Sequence, residues 1–218
     1  MTAAAHAVLT GDLIASRTAG TAAVEAAMGA LQSCARDLGD ELGADLRFTR
    51  FRGDGWQLHL TDTSRVLDVM LALVAGLRVA ETGLGTRIAA GLGPVETLGT
   101  ADLSDATGEA FFVSGDLLER IGVRRRLAIG GAGIGPWQVA VVDLLDHIAF
   151  GWSAAQAEAV ALAATPARPT QDEISGRLGI TRQAVQARLA AAGEAHLQTA
   201  LRSFRAHDYT APGRGAEG

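Results

Sequence analysis

The sequence predicts an α+β sheet-and-helix domain followed by a small all-α domain. Three observations carry that expectation. Apolar stretches of strand length alternate with amphipathic helices through the first 150 residues, in the order β-α-β-β-α-β with additions. A second segment, 151–206, reads as helices only. The prolines Pro166 and Pro169 interrupt it just before two short helices joined by a glycine turn.

In chain order, His6 to Leu9 is an apolar run ending in Thr10-Gly11-Asp12-Leu13-Ile14, a buried strand with a carboxylate near its end. Val24, Met28, Leu31 and Leu38 recur at helical spacing between Thr21 and Leu38, so this helix should cover a sheet. Residues Leu46 to Phe51 and Trp56 to Leu60 alternate around the turn Arg52-Gly53-Asp54-Gly55, which predicts a hairpin with Asp54 at its tip. Asp62 or Ser64 should cap a strongly apolar helix from about Arg65 to Val79.

A strand follows at Thr86 to Leu92, then a hairpin or loop through 93–106, then a helix from Gly108 to Ile121 closed by Arg124-Arg125-Arg126. Leu127 to Ile134 is a glycine-punctuated strand candidate, and Pro136 suits the first position of the next helix. The order matches the ferredoxin-like arrangement built on a split β-α-β unit. The expected units are therefore 1–150 as the sheet domain, 151–206 as the helical domain and 207–218 as a disordered tail.

Ser153 with Gln156, and Thr170 with Glu173, form capping boxes. Gly179 sits where a short helix must turn, and Thr181 can cap the next one. Val185, Leu189 and Ala192 share one face of that helix, while Gln183, Gln186, Ala187 and Ala190 share the opposite face. Glutamines can bond base edges in pairs, small alanines allow close approach, and Arg182 and Arg188 flank the face within reach of phosphates. Thr181, Arg182, Gln183, Gln186, Ala187 and Arg188 are thus candidate contacts to double-stranded DNA. The alternative is a pair of surface helices whose Ala, Gln and Arg serve helix propensity. The stretch resembles the helix-turn-helix of sigma-factor promoter-reading regions and of many bacterial regulators.

All 19 basic residues are arginine, and the net charge is −5. Residues 1–150 hold 12 arginines against 18 carboxylates, whereas 151–218 hold 7 against 6. That balance excludes DNA binding by bulk charge, so DNA contact requires local arginine placement and two copies per site. The single cysteine, Cys34, fits a reducing cytoplasm and has no neighbouring His to make it a nucleophile. No basic leader with a long apolar stretch opens the chain, and no run approaches a membrane span, so a cytoplasmic protein is expected.

Asp12 at a strand end and Asp54 at a hairpin tip would lie on adjacent strands, where two carboxylates suit Mg²⁺ or Mn²⁺ bridging nucleotide phosphates. Taken alone, an Asp in a Gly-Asp-Gly turn is more often just a turn residue. The segments Gly11-Asp12-Leu13-Ile14-Ala15-Ser16, Arg50-Phe51-Arg52-Gly53-Asp54-Gly55 and Arg87 to Val95 resemble the three core motifs of class III nucleotidyl cyclases, in that order. With Asp105-Ala106-Thr107-Gly108, the resemblance spans about 6–122.

It implies metal binding by Asp12 and Asp54, phosphate binding by the backbone at Ala15 and Ser16, and base selection by Arg50 and Asp105. It also implies a nucleoside triphosphate ligand and a homodimer with its sites at the interface. The family's transition-state Asn and Arg fall on Phe112 and Asp116, which cannot neutralise phosphoryl charge. Arg120 and the 124–126 run could substitute, or could be a solvated helix end. The combination of this domain with the helix-turn-helix resembles the SatD-like proteins of bacteria over nearly the whole chain, in particular through Trp152 to Val160, Thr170-Gln171 and Ala191-Ala192-Gly193. The sequence therefore suggests a DNA-binding transcriptional regulator with a nucleotide-binding or dimerising cyclase-like domain. The alternative is a metal-dependent cyclase or nucleotidyltransferase with a regulatory helix-turn-helix.

Overall fold

The computed structural model describes residues 5–51, 53–165 and 169–209. Its centre is a five-stranded mixed sheet built on β1 (His6–Ile14). The other strands are β2 (Arg47–Phe51), β3 (Gly55–Leu60), β4 (Gly85–Gly93) and β7 (Leu127–Gly131). The order is β2-β3-β1-β4-β7, with β1 antiparallel to both β3 and β4 and only β7 parallel to its neighbour. Two interleaved split β-α-β units generate the first four positions, as the element order predicts.

The crossovers are α2 (Thr21–Leu42) and α3 (Val66–Val79), both on one face of the sheet. Ala27, Met28, Leu31 and Ala35 form the buried stripe of α2, at spacings that keep one helical face inward. Helix α3 is buried nearly all round, from Val66 to Leu77, because it is covered on its far side as well. That cover is α6 (Ala154–Ala163), with α9 (Glu194–Arg205) alongside. The helices after Gly151 thus share one apolar cluster with the sheet. Trp152 Nε1 donates to Ala192 O at 3.0 Å, and Arg205 forks onto the buried Asp68 of α3.

The opposite face carries α4 (Glu109–Arg120). It lies so close to β4 that a Cβ on Gly91 would meet Ala110 O and Ser114 N at 2.4 Å, which explains the glycine there. The stretch expected to be a hairpin or loop forms a small ribbon, β5 (Val95–Thr97) with β6 (Thr107–Gly108). Helix α5 (Pro136–Phe150) returns from β7, with Pro136 in its first turn as expected.

Two sequence expectations change at the ends of elements. The arginine run does not close α4, which ends at Arg120 with Ile121 already extended; 124–126 lie on the loop into β7. The expected tail also starts too early, because Tyr209 is 4% exposed and packs over Gly133, and His207 Nε2 bonds Gly133 O at 2.8 Å. The remainder of that tail, 210–218, and the expected linker proline Pro166 lie outside the described residues, as does Arg52. Among the described residues no helix is long and apolar enough to cross a membrane.

Candidate functional site

Strand register builds the site. Asp12 stands opposite Gly55 on β3 and opposite Arg87 on β4. The hairpin tip folds back so that Leu13 N donates to Asp54 O at 3.1 Å, which sets the two aspartates side by side as the sequence predicts. Gly11 is required beside them: a Cβ there would sit 2.3 Å from the Trp56 ring, which crosses beneath β1. Beyond β1, Ala15 takes left-handed backbone (φ 65°), turning the chain sharply into the short helix α1 (Ser16–Ala19). A non-glycine residue there costs about 1–2 kcal/mol, the kind of local strain that clusters at functional sites.

The result is an open cleft of ≈ 580 Å³. It is lined by Asp12, Asp54, the turn 13–18 and Arg87, and by Val123, Arg125 and Arg126. Arg87 Nε donates to Asp12 Oδ1 at 2.8 Å and its second nitrogen reaches Asp12 Oδ2, so the pair is bidentate. That hydrogen bond, with further attraction from Asp54, raises the Arg87 pKa above its ordinary value. Ser16 Oγ donates to Asp54 Oδ2. Four arginines line the cleft against two carboxylates, a formal surplus of two positive charges.

This donor set suits one kind of metal binding. Among the described residues no group of three or more His, Cys, Asp or Glu side chains could hold an ion. Two carboxylates alone fit Mg²⁺ or Mn²⁺ that keeps waters and arrives with phosphate oxygens. Asp12 and Asp54 would hold such an ion, with Arg87 released from Asp12 in exchange.

The other sequence candidates divide. Ala15 and Ser16 line the cleft. Arg50 and Asp105 do not. Arg50 is paired with Trp56 across the hairpin and so lies on the helix-covered face, where it forks onto Glu25 of α2 at 2.7 and 2.8 Å. That hydrogen-bonded pair lowers the Glu25 pKa and raises that of Arg50. Asp105 closes its own loop, accepting from Thr100 N and Oγ1 at 3.2 and 3.1 Å. Phe112 is 75% exposed on α4, and Asp116 pairs with Arg120 at 2.8 Å. Arg87 is a cleft residue that sequence reasoning left without a role, since its partner is set by non-local register. Cys34 is half-buried and bonded to Ala72 O, and desolvation pushes its thiol up to about 12, far from a reactive thiolate.

In the helical segment, Thr170 and Glu173 cap α7 (Gln171–Leu178) reciprocally, and Gly179 ends it in left-handed backbone. Thr181 Oγ1 accepts from Ala184 N at 3.1 Å and starts α8 (Arg182–Ala191). Val185, Leu189 and Ala192 are buried, whereas Arg182, Gln183, Gln186, Ala187 and Ala190 are exposed. The guanidinium of Arg188, expected within reach of a phosphate, pairs with Glu158 of α6 at 3.0 Å.

No protein-family model matches the chain, and no curated protein matches it. Among solved structures, one described as a bacterial light-regulated adenylyl cyclase aligns at a TM-score of 0.42 and 14% identity, over 58% of this chain and 75% of that one. The functional reading therefore comes from the cleft residues themselves.

Proposed function

We propose that the chain binds a metal-complexed nucleoside triphosphate in the cleft between Asp12, Asp54 and Arg87, and that this nucleotide-binding unit serves a regulator. The supporting observation is the pairing of two carboxylates on adjacent strand ends within a cleft whose other charged groups are arginines. Carboxylates suit the metal, arginine forks suit phosphate oxygens, and the two are useful together only for a ligand carrying both. The class III cyclase resemblance of the same segments supports the nucleotide as that ligand. Cyclisation is not part of the proposal, because an exposed Phe112 and a self-paired Asp116 supply no charge to a transferring phosphoryl group.

A second reading adds DNA. The exposure of Gln183, Gln186 and Ala187 over buried Val185 and Leu189 favours α8 as a base-reading helix, in a paired molecule that sets two such helices at half-site spacing. Calorimetric titration of Mn²⁺-ATP and Mn²⁺-GTP, followed by separation of the nucleotides, tests the first reading. Saturable heat without a new nucleotide supports it, and a cyclic or linked product replaces it with the enzyme alternative. Absence of heat removes it.

A further inference from the structure

The arginine run before β7 carries an inference that rests on the nucleotide reading and deepens it. Helix α5 presents Asp143, Asp146 and Phe150 at i, i+3 and i+7, on one face. Each of the three holds one part of the run. Asp143 Oδ1 forms an ion pair with Arg125, 2.7 Å from its Nε. Asp146 Oδ2 accepts from the Arg126 backbone N–H at 2.7 Å. The Phe150 ring lies under the Arg126 guanidinium, 4.5 Å from ring centroid to charge centre.

From the sheet side, Ile88 N donates to Arg126 O at 2.7 Å. The Arg126 backbone is therefore fixed between α5 and β4. Asp146 is 4% exposed, and its Oδ1 has no protein partner among the described residues. Burying a carboxylate with half its capacity unmet is costly, so the seat it provides for Arg126 carries a function worth that cost. A solvated loop end would need no such platform. Arg124 is exposed and does not line the cleft, whereas Arg125 and Arg126 line it together with Asp12 and Asp54.

We propose that Arg125 and Arg126, seated on Asp143, Asp146 and Phe150 of α5, clamp the polyphosphate chain of the nucleotide in the Asp12–Asp54 cleft. Guanidinium forks match phosphate oxygens, and an arginine already stacked on a ring loses little freedom on binding. The Arg125–Asp143 pair is half exposed, at 55% and 46%, and such pairs exchange for a phosphate at small cost. Two arginines on consecutive residues, in a cleft that Arg87 also lines, suit several linked phosphates better than one.

The test titrates sodium tripolyphosphate into the full chain with EDTA present, so that no metal contributes. Saturable binding is expected. Arg125→Gln and Arg126→Gln should each weaken it about tenfold, and Arg126→Lys, which keeps the charge and loses the fork, should fall between. Arg124→Gln removes the same charge from the same loop and should leave binding as in the parent chain. Thermal melts of each variant establish that it is folded. Equal losses in Arg124→Gln and Arg126→Gln would mean diffuse attraction and overturn the clamp. So would failure of the parent chain to bind tripolyphosphate, or Mn²⁺-ATP binding unchanged by Arg125→Gln with Arg126→Gln, which would leave the nucleotide reading standing. Tripolyphosphate binding that depends on Arg126 in a chain that ignores Mn²⁺-ATP would uphold the clamp and remove the nucleotide.

Discussion

The cleft at the end of β1 and the outer face of α8 both present polar side chains at positions that could meet a ligand, but they are prepared differently. In the cleft the charges are already paired, Asp12 with Arg87, Asp54 with Ser16 and Arg125 with Asp143. Ligand binding there is an exchange of partners, so it should be selective for a ligand that satisfies both signs at once. On α8 the glutamines stand exposed on a helix whose other side is buried, and the flanking Arg182 and Arg188 are paired with Asp172 and Glu158. Contacts by the exposed glutamines would be added rather than exchanged, and binding there would depend on shape and on a second copy. The comparison teaches that the charged pairs of the cleft are informative because each has a competitor, whereas exposure on α8 is compatible with a plain surface helix.

The largest effect that would separate the two regions is expected from Asp54→Asn. Removing one of two carboxylates should weaken Mn²⁺-triphosphate binding about a hundredfold, with DNA retention on a mobility-shift gel unchanged. Equal loss of both activities would mean that the regions are not independent.

A second test uses pH to perturb the sheet without touching α8. His59 is 2% exposed and shares a 2.7 Å hydrogen bond with His6. Burial, then the neighbouring His6 and Arg47, lower its pKa to about 4 against a small opposing pull from Asp45. A histidine held neutral in the fold contributes stability that is full above pH ~6.5 and is lost as pH falls towards ~4, roughly 3 kcal/mol in all. Urea melts between pH 7.5 and 4 should show this decline, and His59→Gln should flatten it. A parent chain that is equally stable at both ends would contradict the assignment.

On α8, Gln183→Ala and Gln186→Ala should each cost about 1–2 kcal/mol in binding a selected DNA sequence, with nucleotide affinity untouched. If no sequence is enriched by the parent chain in a random-pool selection, the surface-helix alternative holds. The smallest effect sharpens the exchange idea. Arg87→Gln should improve the affinity for Mn²⁺ alone, because it frees Asp12, while weakening triphosphate binding about tenfold or less. Losses of both would show Arg87 to be a structural brace.

Local signals made much of this architecture legible in the sequence. The alternation around Arg50 to Leu60, the apolar run before Asp12 and the capping residues Thr170, Glu173 and Thr181 depend on residues within a few positions of one another, and each corresponds to an observed element. Asp12 and Asp54 could be placed together because one strand end and one hairpin tip must meet in a split β-α-β sheet. Arg87 could not be paired with Asp12, since that contact depends on the register between β1 and β4. The roles of Arg125 and Arg126 were hidden for the same reason. Their seat lies 18 to 24 residues further along, in the i, i+3, i+7 spacing of Asp143, Asp146 and Phe150, a pattern with no meaning until α5 docks beside β7. Tyr209 escaped because a glycine, Gly133, provides its contact surface.

The most direct measurement is calorimetric titration of Mn²⁺-ATP and Mn²⁺-GTP into the parent chain and into Asp54→Asn, in one buffer at one salt concentration. The nucleotide-binding account predicts saturable heat for at least one of the two in the parent chain and its loss in the variant. No heat in either protein, or the same heat in both, would contradict it.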